Sequence, residues 1–249
     1  MGHYVDESRW LATVRHPDWY LHLRDEYEDL LALARRSDRT TAKRIADEVY
    51  SFFERGLAER HIALGAAEPE WDADRRPLDT AVIHHTQLPP GITWQRLDAI
   101  HLTRVYARYY ADPVGDEAWI QGLPITSGHL RGSREVFYAY HWLVRTDGTL
   151  ERLLDDNETG WHAGDWGINC RSIGICIDDD LSEKLPTHMV IEAIANLLRD
   201  HYPGVTTQGI RGHREINPAT TCPGSRFLPE WKATLLQRRL SPGCSTNST

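Results

Sequence analysis

Lysine is scarce in this chain. Three occur, Lys43, Lys184 and Lys232, against 36 acidic residues, and the net charge is −8. Bulk charge of that sign does not hold a protein to a polyanion, so no nucleic-acid partner is expected. Long apolar runs are missing too. None approaches the ~18 residues of a membrane span, which predicts no membrane insertion. The opening MGHYVDESRWLATVRHPDW has no basic stretch followed by an apolar one. No signal peptide is read there, and a cytoplasmic protein with reduced thiols is expected, with release by another route left open. Cysteine is rare: Cys170, Cys176, Cys222 and Cys244 show no paired spacing, and a chain of 249 residues needs no disulfide framework.

What is there is an ordinary globular texture that changes near residue 80. Residues 1–64 read as a small helical extension. In EYEDLLALARR, Tyr27, Leu30, Leu31 and Ala34 recur at helical spacing, and so do Ile45, Val49, Phe52, Phe53 and Leu57 in the next stretch. The bland expectation for this extension is packing or oligomerisation, and it is expected to be dispensable for chemistry. GAAEPEWDADRRPLD, residues 65–79, is polar with two prolines and reads as a linker. From residue 80 to 240 strands and helices mix. TAVIHHT and RSIGICID are strands; ITWQRLDAIHLTRVYARYY and HMVIEAIANLLRDHYPG are helices. YAYHWLVRTDGTLERLL is a hairpin turning at Asp147-Gly148. The expectation is an α/β domain, a mixed β-sheet flanked by helices, partly antiparallel because of the hairpin. Residues 241–249 read as a frayed tail. The run Asp178-Asp179-Asp180 reads as a solvated strand end, and residues 111–136 as an insertion that shapes a groove.

GHREINPATTCPG, residues 212–224, places a histidine and a cysteine in a segment that two prolines keep from being one helix. Three readings compete: a metal site, a Cys222 nucleophile with His213 as its base, and an ordinary buried loop. His84, at the end of a strand, would complete a three-ligand set. Zinc accepts imidazole nitrogen and thiolate sulfur at roughly 2.0–2.3 Å and, when catalytic, keeps a further position for water. Adjacent strand residues face opposite ways, so only one of His84 and His85 can point at such an ion.

Four blocks carry a resemblance, in order: VIHHT (82–86), YHWLVRTDGTLERL (140–153), GWHAGDWGINCRSIGICI (160–177) and GHREINPATTCPG (212–224). Over residues 80–228 the chain resembles the zinc-dependent type 2 N-acetylmuramoyl-L-alanine amidases, a family that includes the peptidoglycan recognition proteins. The resemblance implies that 80–240 is a zinc amidase domain with one zinc ion (Zn2+) per chain, held by His84, His213 and Cys222. It implies a peptidoglycan or muropeptide partner and hydrolysis of the amide between N-acetylmuramic acid and L-alanine. A non-catalytic binding module of the same fold is the alternative. The oligomeric state is not implied.

The resemblance also divides the family by its acid/base. One branch has a glutamate directly after the last isoleucine of SIGI, where this chain has Cys176. The other uses a tyrosine before the histidine of the YH block, here Tyr140. This chain therefore resembles the tyrosine branch, with Tyr140 as a catalytic candidate beside Thr220 and His162. Thr220 stands where many members have a lysine, with Thr221 as its rival. His85, Trp161 and His162 are the expected substrate-binding residues.

Overall fold

In the computed structural model, residues 3–66, 69–112 and 120–241 are described. The last eight residues of the expected tail, Cys244 among them, lie outside the described residues, as do 67–68 of the expected linker and 113–119 of the 111–136 stretch. By contacts the chain divides into two compact bodies: Met1–Trp71 with Thr93–Phe137, and Asp72–Ile92 with Tyr138–Thr249.

The second body is built on two strands buried at every position, β1 (Thr80–His85) and, much later in the chain, Ser172–Ile177. Both are covered on both faces, with isoleucine and alanine on one face and histidine, serine, glycine and cysteine among the residues on the other. They pair in parallel, from Thr80 opposite Ser172 to His85 opposite Ile177. In the first body, Leu130–Arg131 and Arg134–Glu135 form a small hairpin, β2 and β3. Back in the second, β4 (Trp142–Val144) and β5 (Leu150–Arg152) are the expected hairpin. Gly148 has φ +86° at its turn, and the Thr149 N–H donates to Asp147 Oδ1 at 2.9 Å. With Ser172–Ile177 as β6 and Ile210–Gly212 as β7, the order is β5-β4-β6-β1-β7, and only β4–β5 is antiparallel. The mixed sheet flanked by helices is as the sequence predicts.

Strand alternation then sorts the side chains. Ala81 and Ile83 of β1, and Ile173, Ile175 and Ile177 of β6, join one apolar core with Val190, Ile194 and Leu198. Those three come from the helix His188–Asp200, whose N-cap Thr187 accepts the Val190 N–H. Leu235 from the helix Lys232–Leu240 completes that layer. Each such valine, leucine or isoleucine side chain, fully buried, contributes ~1.5–3 kcal/mol. The other face of β1 carries Val82 and His84, and Val82 packs with Ala163 and Ile168.

The first body is helical: α1 (Glu7–Thr13), α2 (Trp19–Arg36), α3 (Arg39–Ala58) and α4 (Trp94–His101). From α4 the chain continues through a π-helical turn, Leu102–Ala107, into α5 (Arg108–Ala111). Asp38 caps α3 by accepting the Thr40 and Thr41 N–H groups. The stripe read from Ile45 to Leu57 is buried. Trp10, Trp19, Phe52 and Phe53 stack edge-on or tilted with centroids 5.2–5.8 Å apart. Tyr20 meets Tyr110 of α5 at 5.8 Å.

Two expectations change. The helix starting at Trp94 falls within 80–240 by sequence, yet α4 packs on α3, where Arg96 pairs with Glu54 at 2.9 Å and donates to the Ser51 hydroxyl. In the stretch 65–79 the described residues make bonds within their own bodies: Gly65 N–H donates to Ile125, and Trp71 Nε1 to Thr126. Arg75 donates to the carbonyls of Asp156, Asn169 and Ser172. Of the acidic run, Asp180 is exposed as expected, but Asp178 and Asp179 are buried. Asp178 is 1% exposed, accepts the Gly91 and Ile92 N–H groups and pairs with Arg145 at 2.6 Å. No described helix is long and apolar enough to cross a membrane.

A chain starting at residue 70 tests the first of these. It lacks Trp10, Trp19, Phe52 and Phe53, and truncating even one buried aromatic costs ~3–5 kcal/mol. Residues 93–137 should then unfold, giving strong binding of an apolar dye and early elution on size exclusion. A monomer without dye binding would restore residues 1–64 as a separable extension.

Candidate metal centre

The polar face of β1 and β6 supplies the floor of the site. His84 on β1 lies opposite Cys176 on β6. Because Ile173, Ile175 and Ile177 face the helices, Ser172, Gly174 and Cys176 share the face of His84. β7 delivers His213 directly after Gly212, at the start of a single 3₁₀ turn, His213–Glu215. Glu215 holds that turn by accepting the Gly212 N–H at 2.8 Å and pairing with Lys232 at 2.6 Å.

The loop then folds back. The Asn217 side chain accepts the Ala219 N–H, the Thr220 hydroxyl accepts the Cys222 N–H at 3.1 Å, and the Arg214 N–H reaches the Cys222 carbonyl at 2.8 Å. The prolines thus sit in a turn that returns Cys222 to the side of His213. One ligand-type atom each from His84, His213 and Cys222 lies within 4.8 Å of the others. His84 Nδ1 is 3.7 Å from Cys222 Sγ, and the His84 and His213 rings are 4.7 Å apart.

The electrostatics fit a cation. Burial pushes the Cys222 thiol up to about 12, with a backbone hydrogen bond from His85 acting the other way. Burial also lowers the His213 imidazole, opposed by a hydrogen bond to the Ala163 backbone, so it is neutral near pH 7. His213 Nε2 is buried with no hydrogen-bond partner. A buried orphan nitrogen costs free energy unless something accepts its lone pair. Two imidazoles and a cysteine are a zinc-type donor set, and the residues present fit that ion.

Around the three lie other predicted residues. The Tyr140 ring is half-buried and 4.9 Å from the His84 ring. Burial holds the Cys176 thiol well above its ordinary range, partly offset by a hydrogen bond from Tyr140. His162 is 6% exposed, and its Nδ1 lies 3.1 Å from His84 Nε2, on the edge of that ring away from Cys222.

The other two expected substrate-binding residues, His85 and Trp161, are both buried. His85 points to the helical face with Ala81 and Ile83, is 6% exposed, and its Nδ1 accepts the Leu181 N–H at 2.9 Å. Trp161 is 7% exposed and packs on Trp166 at 5.2 Å. Thr220 is turned toward its own loop, where it positions Cys222.

The sequence reading missed Ser172 and Asn169. Ser172 Oγ lies 3.2 Å from His162 Nε2, and Asn169 Oδ1 accepts the His162 and Ala163 N–H groups. The signal for Ser172 was present in SIGICI, where alternate residues oppose the isoleucines. Asn169 had none.

The family model described as N-acetylmuramoyl-L-alanine amidase (Amidase_2) matches residues 74–225, a span that contains all three ligand-type residues. The chain belongs to that family. It is similar to the 1,6-anhydro-N-acetylmuramyl-L-alanine amidase AmpD of Haemophilus influenzae, 23% identical over 180 residues, 67% of this chain and 87% of that protein. It is also similar to an endolysin of Enterobacteria phage K11, 30% identical over 103 residues, 38% of this chain and 64% of the phage protein. Among solved structures, the amidase LysC of Clostridium intestinale is 25% identical, with 70% of this chain and 94% of that one covered and a TM-score of 0.46.

Zinc analysis tests the centre. About one zinc per chain is expected from protein purified without chelator. Cys222→Ser should lose most of it, and Cys170→Ser, outside the cluster, should keep it. Loading must displace the Cys222 proton, so zinc affinity should fall as pH falls. Full zinc content in Cys222→Ser would remove Cys222 from the centre.

Proposed function

We propose that the protein hydrolyses the amide bond joining the lactyl group of N-acetylmuramic acid to L-alanine, in peptidoglycan or in soluble muropeptides. One zinc ion held by His84, His213 and Cys222 serves that reaction. The observation that carries the reading is the convergence of these three side chains with the His213 Nε2 lone pair buried and unmet. A zinc ion bound there supplies Lewis acidity toward an amide carbonyl and acidifies water.

The remaining work falls to the chain's own groups. The Tyr140 ring packs 4.9 Å from that of His84, and its hydroxyl, once turned away from the Cys176 thiol, donates to the oxygen on which negative charge grows. Thr220 keeps Cys222 in place through its backbone N–H, and brings no positive charge of its own. A Cys222 nucleophile is disfavoured, because a thiol held near 12 is almost wholly protonated at neutral pH and the thiolate is the reactive form. A clear pair of carboxylates on facing segments, which glycoside cleavage normally needs, is not found among the residues around the cluster.

Incubation with intact peptidoglycan and with soluble muropeptides, followed by mass spectrometry, tests the reading. Free alanine amino groups and an unbroken glycan are expected; new sugar reducing ends would overturn it. Binding without any cleavage would favour a recognition module of the same family. Tyr140→Phe should keep its zinc and lower kcat by ~10²–10³. Tyr138→Phe, buried two residues earlier, should leave kcat nearly unchanged.

A further inference from the structure

His84 has two ring nitrogens, and only one faces the cluster. Nδ1 lies 3.7 Å from Cys222 Sγ, whereas Nε2 lies 3.1 Å from His162 Nδ1. If Nδ1 is to present a lone pair, Nε2 must carry the hydrogen and donate it. His162 Nδ1 is the acceptor in reach. His162 then carries its own hydrogen on Nε2, which lies 3.2 Å from Ser172 Oγ, and a hydroxyl oxygen accepts. The side chains Ser172, His162 and His84 therefore form one line of hydrogen bonds that ends on the ligand nitrogen.

This line is packed in. Ser172 is fully buried and His162 nearly so, which leaves little room for water to replace either bond. The His162 backbone is tied to Asn169 Oδ1. Its ring lies on Gly174, where an added Cβ would sit 2.9 Å from the ring carbons. The glycine of SIGI is thus required by the approach of this imidazole. Ser172 and Gly174 are on the site face of β6 by alternation, so one strand supplies both the acceptor at the end of the line and the gap that the ring fills.

We propose that His162 and Ser172 are positioning residues, which act through His84 by holding its Nδ1 toward the metal centre, and that His162 does not itself meet substrate. The proposal rests on the zinc reading above. Outer partners of this kind typically set metal affinity by about 10–100-fold.

Zinc affinity of the full-length chain, measured at fixed pH by competition with a chromophoric chelator, tests it. His162→Leu keeps much of the volume and removes the acceptor; it should bind zinc about 10–100-fold more weakly. His162→Asn returns an acceptor oxygen near the Nδ1 position and should recover most of that loss. Ser172→Ala should weaken zinc several-fold and, by leaving the buried His162 Nε2–H without an acceptor, should also lower the melting temperature of the metal-free protein. Unchanged affinity in both His162→Leu and Ser172→Ala would overturn the proposal, as would equal weakness of His162→Leu and His162→Asn. Should His162→Leu fail to fold, unchanged affinity in Ser172→Ala alone decides against it. If the unsubstituted protein itself takes up no zinc, the metal-centre reading falls instead, and this inference with it.

Discussion

The parallel pairing of β1 with β6 carries both the core and the candidate centre. Six successive pairs, from Thr80–Ser172 to His85–Ile177, lock the register. On one face this aligns Ala81 and Ile83 with Ile173, Ile175 and Ile177 against the covering helices. On the other it sets His84 beside Ser172, Gly174 and Cys176. A slip of one residue would turn the isoleucines toward the cluster and the polar set into the core. The apolar packing that stabilises the body is therefore the same interaction that orients the ligands.

Burial does the electrostatic work of the centre. The Cys222 thiol and the His213 imidazole are both kept neutral by loss of water. Neutral imidazole is already the form that binds a metal, and the thiol needs only to lose its proton. The orphan His213 Nε2 shows that the protein alone does not satisfy this pocket. Desolvation, which penalises every uncompensated charge, thereby favours a divalent cation that compensates the thiolate and meets the open lone pairs.

Some misreadings of the sequence share a cause: local polarity was taken for exposure. Asp178 looks like a solvated strand end, but Arg145 from the neighbouring strand and two backbone N–H groups enclose it. Arg75 lies in a stretch of linker composition, yet its guanidinium reaches three carbonyls. None of these partners is near in sequence.

What the sequence by itself determined was what depends on neighbours along the chain. The Asp147-Gly148 turn, the 3.6-residue stripes and the short strand-like runs are all local, and each was legible with the mixed α/β fold; His84, His213 and Cys222 were preferred as one set over the rival readings only through the family resemblance. Which histidine edge meets which partner, which of two adjacent histidines faces the cluster, and where helix 94–101 packs were decided only by tertiary structure. Those outcomes depend on sheet register and on contacts between residues tens of positions apart, where a few tenths of an ångström at Gly174 and one side chain on the right face of β6 settle the geometry.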